Sequence, residues 1–313
     1  MSGANIFSDS FSAFGVQCDV VLPGMEAEQA KALMQLIKNV VSRVELSVSN
    51  KEMIAEILQV NQTKKNEWIK PSGEFWDLLT ICFDFYQMSN GALDITFTPL
   101  FDAWKSGNDL NETEIAKIRH KCGFDKVELD EERKRFRFLE EAMKLDFALF
   151  QKAYVLDILK QELLRNEVES CIVSFDEDEV LALGQHPGGD EWPLGVRNIE
   201  NPDEFLHVFL VKDMFVVTAG TYCLNWEKGA SECRLVLSPE TGKPVNLKKT
   251  VSVKAESALL AAFVANSWLI LPDNDKEIIA DQLHNVEIFE AEYLSNDLAT
   301  KHTIIAENEN NEE

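Results

Sequence analysis

A few polar groups in this chain have residue types and spacings that could do chemistry. Asp94 follows Gly91-Ala92 and precedes Thr96. A carboxylate placed so can face a ligand or cap its own turn. Asp146 stands where a short strand gives way to a helix, and Lys152 lies just inside that helix. A helix-start acid is favoured by the macrodipole whether or not it touches a ligand, and Lys152 without a ligand is a surface residue. Asp176, Glu177, Asp178 and Glu179 are four consecutive carboxylates that could gather a divalent cation. They lack the spacing and the glycine of a Ca²⁺ loop and read as a solvated acidic turn. Thr218-Ala219-Gly220 and the run from Ser238 to Pro244 carry turn chemistry. His186, beside Pro187-Gly188-Gly189, reads as a loop histidine, and no other His or Cys stands at metal-ligand spacing. The sequence has no GxSxG, no phosphate-binding P-loop and no GxGxxG.

The elements that must position these groups follow from periodicity. Residues 16–22 alternate and predict a strand, and 26–46 carry apolar residues at helical spacing. Residues 51–60 predict a short helix. Residues 73–88 predict an amphipathic helix with Ser72 as its N-cap and Ser89-Asn90-Gly91 as its stop. A short helix is expected over 111–122, paired strands over 126–129 and 135–139, a short strand over 144–147 and a helix over 151–164. Further strands are expected over 171–175, 179–183, 205–211, 214–218, 233–237 and 251–253, and a buried helix over 257–271. Helices mixed with antiparallel hairpins predict an α+β class rather than a doubly wound parallel sheet. One compact unit is expected over 13–305, with an N-terminal arm over 1–12 and an acidic, disordered tail over 306–313.

Composition narrows the function classes. The 313 residues hold 30 Lys+Arg against 54 Asp+Glu, a formal charge of −24, which opposes nucleic-acid backbones and anionic membrane surfaces. The hydrophobic fraction of 45% is enough for a core, and no apolar run is long enough to span a bilayer. Residues 1–10 have neither the basic nor the apolar region of a signal peptide. The six cysteines form no CxxC and are expected as reduced, partly buried thiols, so a cytoplasmic location is expected.

Several phrases, in order, resemble the FAD:protein FMN transferase (ApbE) family. Ser89-Asn90-Gly91-Ala92-Leu93-Asp94-Ile95-Thr96 with Pro99-Leu100 and Trp104 resembles S-x-G-A-F-D-x-T-x-x-P-L-x-x-x-W. Leu145-Asp146 with Lys152, Tyr154 and Asp157 resembles L-D-x-x-x-x-x-K-G-Y-x-x-D. Val217 to Gly220 resembles x-T-S-G, Ser238 to Pro244 resembles D-P-x-T-G-x-P, and Phe14-Gly15-Val16 resembles M-G-T. The phrases span residues 13–271. The resemblance implies a single ApbE-like fold with mixed or antiparallel sheets and flanking helices. It also implies binding of FAD and transfer of FMN to a Ser or Thr of a flavin-accepting protein, with AMP released and Mg²⁺ assisting. By the same resemblance, Gly15, Ala92, Leu93, Asp94, Thr96, Asp146, Lys152, Thr218, Gly220, Val236 and Thr241 contact the flavin nucleotide, with Asp146 and Lys152 as the catalytic pair.

The sequence departs from the family pattern at polar positions. The family's A-D-A-L-A-T-A offers Mg²⁺ an Asp and a Thr one helical turn apart, and the backbone carbonyl of the residue aligned with Leu149. Here those two positions hold Ser257 and Ala261, so no residue is assigned as a metal ligand. K-G becomes Lys152-Ala153, the glycines of N-x-G-G-D become the acidic run, H-x-x-D-P becomes Leu235 to Pro239, and the Ser of T-S-G is Ala219. Two functions are therefore expected to compete. One is an active flavin transferase; the other is a relative that keeps only the fold, as a flavin-binding or protein-interaction module.

Overall fold

The computed structural model describes residues 6–49, 53–107, 109–225, 230–294 and 297–306. In chain order the first elements are β1 (Ile6–Ala13), β2 (Val16–Pro23), α1 (Ala27–Ser49), α2 (Met53–Val60), α3 (Gly73–Met88), α4 (Thr98–Lys105) and α5 (Glu112–Arg119). There follow β3 (Val127–Asp130), β4 (Arg135–Phe138), α6 (Gln151–Arg165), β5 (Cys171–Phe175), β6 (Glu179–Leu183), β7 (Trp192–Arg197) and β8 (Phe205–Val211). The chain closes with β9 (Met214–Gly220), β10 (Tyr222–Asn225), β11 (Ala230–Cys233), β12 (Lys249–Ala255), α7 (Ala258–Trp268), α8 (Asp273–Ala280), β13 (Val286–Leu294) and β14 (Asp297–Ile305).

Eight strands form one sheet in the order β1-β2-β5-β6-β9-β12-β13-β14, and every neighbouring pair runs antiparallel. The α+β expectation holds. One face of the sheet carries α1, α6 and α7 over the main core, where Val173, Phe215, Val217, Val251 and Val253 meet Phe263 and Leu159. The other face is covered by the β7–β8 hairpin, through Trp192, Phe209 and Val211 against Val216, Phe289 and Ala291. A third cluster, Leu100, Ile115, Cys122 and Leu237, ties α4 and α5 to the segment after β11.

Local chemistry explains the element ends. Ser72 caps α3 by accepting from Phe75 N, and its own hydroxyl donates to Glu56. At the other end Ser89 donates to Phe85 O and accepts from Leu93 N, while Gly91 takes φ +82° with Tyr86 against it. Helix α7 is buried almost all round, as an apolar helix in a core must be.

Some elements differ from expectation. Residues 144–147 do not join a ladder: Asn61 brackets Leu145 through both its amide atoms, and Asp146 N donates to Ile95 O. Residues 234–237 leave the strand after Cys233: Arg234 N still donates to Thr221 O, Val236 O accepts from Val245 N, and Leu237 bridges Pro244. Within the stretch read as an arm, Ile6–Ala13 forms β1, and the region after α7 adds α8, β13 and β14. From residue 307 the acidic tail lies outside the described residues.

Candidate functional site

The loop leaving α3 builds the centre of the site. Asp94 is half-buried and its two oxygens accept from Thr96 N at 2.7 Å and Phe124 N at 3.1 Å. Thr96, fully buried, accepts from Gly123 N at 2.6 Å. These bonds latch the 89–96 loop to the turn after α5. Burial pushes the Asp94 carboxyl up to about 6 against the lowering effect of those hydrogen bonds.

Two cavities meet at this loop, sharing Ala92, Asp94, Phe97 and Ile270. The first, about 320 Å³, is walled by Leu93, Leu149, Val236, Leu269 and Asn266, with Asp146 on its lining. The second, about 460 Å³, reaches Tyr86, Arg119, Lys126 and Pro239. Both fall in the size range of small-molecule sites, and together they form a groove with one apolar and one polar end. At the polar end, Arg119 donates to Pro239 O at 2.8 Å and to Glu240 O, which anchors the 238–243 turn. Lys126 donates to Cys122 O and His120 O, closing the carbonyl end of α5. Trp104 Nε1 donates to Gly242 O at 2.9 Å, fixing the same turn from α4.

The structure gathers five of the sequence-predicted residues on this groove: Ala92, Leu93, Asp94, Asp146 and Val236. Asp146 is exposed, and its carboxylate accepts from Ala148 N at 2.8 Å. Thr96 does not line the groove and acts as the latch just described. Thr241 is exposed on its own turn, where its hydroxyl accepts from Lys243 N. Thr218 and Gly220 line a separate cleft with Asp176, Asp178, Arg197 and Arg234. Gly15, at φ +75°, makes the tight turn between β1 and β2 at the same end of the sheet, where Asp176 N donates to Gln17 O.

Two readings change on contact with the structure. Lys152 is not a plain surface residue: it pairs with Glu179 at 3.0 Å, and both side chains are largely buried. The acidic run is not one solvated turn, since Asp176 and Glu177 are exposed while Glu179 is buried in β6. Burial raises the Glu179 carboxyl against the pull of Lys152. Arg234 pairs with Asp178 and Arg197 with Glu177, so three cations hold the run. Sequence reasoning missed Arg119, Lys126 and Tyr86, which line the polar end of the groove. The arginine and lysine sit one helical turn before and just after Cys122-Gly123, a cationic helix end that sequence alone displays.

At the start of α7, Ser257 is the N-cap, accepting from Leu260 N and donating to Asp157 Oδ2 at 2.9 Å. Asp157 also accepts from Ala258 N and Leu259 N. Ala261 is fully buried.

The ApbE family model matches residues 14–289. The chain belongs to the ApbE family. It is 21% identical over 278 residues to an FAD:protein FMN transferase of Haemophilus influenzae, covering 85% of this chain and 80% of that protein. It is 24% identical over 241 residues to one of Chlamydia trachomatis, covering 74% and 73%. Among solved structures it superposes on the flavin transferase ApbE from Vibrio cholerae with a TM-score of 0.78 at 16% identity, covering 96% and 97% of the two chains. The apo flavinyl transferase ApbE of Pseudomonas stutzeri gives 0.78 at 18% identity, covering 96% and 95%. These structures share the ApbE fold with this chain. No helix among the described residues is long and apolar enough to cross a membrane.

Proposed function

We propose that this ApbE-family chain is an FAD:protein FMN transferase that binds FAD in the groove around Asp94. The observation that carries this reading is the family match over residues 14–289 on a chain whose groove gathers Ala92, Leu93, Asp94, Asp146 and Val236. The relatives reported above are transferases, which weighs against a protein that keeps only the fold. In the reaction, the hydroxyl oxygen of an acceptor Ser or Thr attacks the FMN phosphorus. The bond from that phosphorus to the AMP oxygen breaks, AMP leaves with the electron pair, and the hydroxyl proton passes to solvent.

This chain's own residues would bind and orient. The apolar wall of Leu149, Val236, Leu269 and Ile270 suits a flat aromatic ring. Arg119 and Lys126 line the polar end beside Asp94, Asp125, Glu240 and Asp275, and both cations already donate to backbone carbonyls, so they shape that end and offset part of its negative charge. Asp146, exposed on the groove, offers a carboxylate to a ligand hydroxyl or amine. Lys152, held by Glu179, stands toward the separate Thr218 cleft rather than in the groove, so it does not pair with Asp146 there.

The Mg²⁺ implied by the family resemblance does not fit the side chains at its two expected positions. Ser257 Oγ is committed to Asp157 and Leu260 N, and Ala261 has no donor atom. The acceptor would be a flavoprotein presenting Ser or Thr. The thiols of Cys18, Cys82, Cys122, Cys171 and Cys233 are free, which fits a reducing compartment such as the cytoplasm.

The test is an FAD fluorescence titration of flavin-stripped protein with and without Mg²⁺, followed by an AMP-release assay with a Ser/Thr acceptor. Saturable quenching that Mg²⁺ does not strengthen, with AMP release, is expected. No quenching up to high FAD would sink the reading.

A further inference from the structure

Away from the groove, on the sheet face covered by β7–β8, three metal-competent side chains converge from three strands. His207 comes from β8, Glu287 from β13, and His302 from β14, where it sits opposite Phe289. One ligand atom from each lies within 4.8 Å of the other two. His302 Nε2 is 2.8 Å from Glu287 Oε1, and His207 Nε2 is 3.4 Å from the same oxygen.

Packing aims these atoms. The His207 ring stacks on Phe289, with centroids 4.8 Å apart and planes 8° apart, and meets Phe209 edge-on at 4.5 Å. Its Nε2 is buried and makes no hydrogen bond of good geometry. A buried polar atom so placed calls for a partner. The second oxygen of Glu287 pairs with Lys254, which also donates to Leu210 O at 3.2 Å. That pairing fixes the carboxylate and leaves Oε1 turned toward the two imidazoles, the kind of outer contact that orients a metal ligand.

The geometry points to a divalent transition-metal site, of the Zn²⁺ class, made by His207 Nε2, His302 Nε2 and Glu287 Oε1. Two imidazoles and one carboxylate suit Zn²⁺ better than the all-oxygen preference of Mg²⁺ or Ca²⁺. Three protein ligands leave a fourth position for water. With metal–ligand bonds of about 2.0–2.2 Å, ligand atoms stand roughly 3.3 Å apart in a tetrahedral site. His302 is the most exposed of the three, at 37% of its side chain, and can make the small closing movement. Lys254 opposes the cation by charge, so the site is weaker than one without it. The bound ion would staple the β7–β8 hairpin to the outer strands β13 and β14.

The experiment uses the full chain, stripped with a chelator and then titrated with Zn²⁺ against a chromophoric competitor. Co²⁺ is added in parallel to read its d–d absorption. One equivalent bound, tetrahedral Co²⁺ bands and a melting temperature raised by Zn²⁺ are expected. His302→Ala, an exposed change that should leave the fold intact, is expected to weaken Zn²⁺ about tenfold or more. Lys254→Met is expected to tighten it. Absence of a saturable equivalent, or equal affinity in the parent and His302→Ala, overturns the site.

Discussion

Asp157 of α6 accepts a hydrogen bond from the Ser257 hydroxyl at 2.9 Å, across 100 residues of sequence. The same carboxylate accepts from Ala258 N and Leu259 N, so one side chain closes the N-terminus of α7. Burial raises its carboxyl while these three donors lower it. The contact joins two elements of the main core at the position where the family resemblance expects a metal ligand. The serine therefore serves as a cap.

Removing that carboxylate orphans two backbone N–H groups and a hydroxyl. Asp157→Ala is expected to cost about 2–4 kcal/mol, the scale of a lost cap plus buried unsatisfied donors. Asp157→Asn keeps one acceptor and should cost less. Urea unfolding of both variants checks the order; an alanine variant as stable as the parent would remove the cap from the account.

A second buried cluster makes a larger prediction. Glu290 of β13 lies 2.5 Å from Lys249 and 2.8 Å from Lys276, and all three are nearly inaccessible. Glu290→Gln leaves the buried Lys249 ammonium without its anion and Lys276 with only the exposed Asp273, 3.6 Å away. Breaking a buried pair costs about 3–5 kcal/mol, so a large fall in the urea midpoint is expected. Replacing all three with apolar residues of similar volume should recover most of it.

The same cluster shows why the C-terminal strands escaped sequence reading. Strand β13 carries Glu287, Glu290 and Glu292, and it is buried on both faces, so no period-two alternation appears. Only the lysines of β12 and α8, distant in sequence, make a buried glutamate tolerable. Strand β1 escaped for a different reason: it is an edge strand whose apolar face, Phe7, Phe11 and Ala13, is interrupted by Asp9 and set among serines. By contrast β2, α3, α6 and α7 were legible because one face of each, or all of α7, is apolar at the right spacing.

The candidate groove was legible where motif residues line it, from Ala92 to Asp94 and at Asp146. It was not legible where a side chain's role depends on a partner far along the chain. Thr96 reads as a ligand until Gly123 is seen against it, and Lys152 reads as free until Glu179 is.

Asp94 makes a pH prediction. Its folded carboxyl, at about 6, lies above the ordinary Asp value near 3.8. Between those values the folded protein binds more protons than the unfolded chain, so this residue's contribution falls as pH rises through about 6. Asp94→Asn removes the dependence. The parent should therefore gain roughly 1 kcal/mol on the variant when pH drops from 7.5 to 5. Paired unfolding curves at the two pH values check it; a gap that widens in the other direction refutes the assignment.

Filling the apolar end of the groove should separate binding from folding. Val236 is half-buried on that wall, and residues 234–237 are irregular backbone rather than a central strand. A tryptophan there occupies space a flavin or adenine ring would need, without opening a cavity in the core. Val236→Trp is expected to weaken FAD quenching at least tenfold, about 1.4 kcal/mol, with the melting temperature within a few degrees of the parent. Unchanged FAD affinity in a folded Val236→Trp would move the ligand out of this groove and toward the cleft of Thr218 and Gly220, where Lys152 and its partner Glu179 stand.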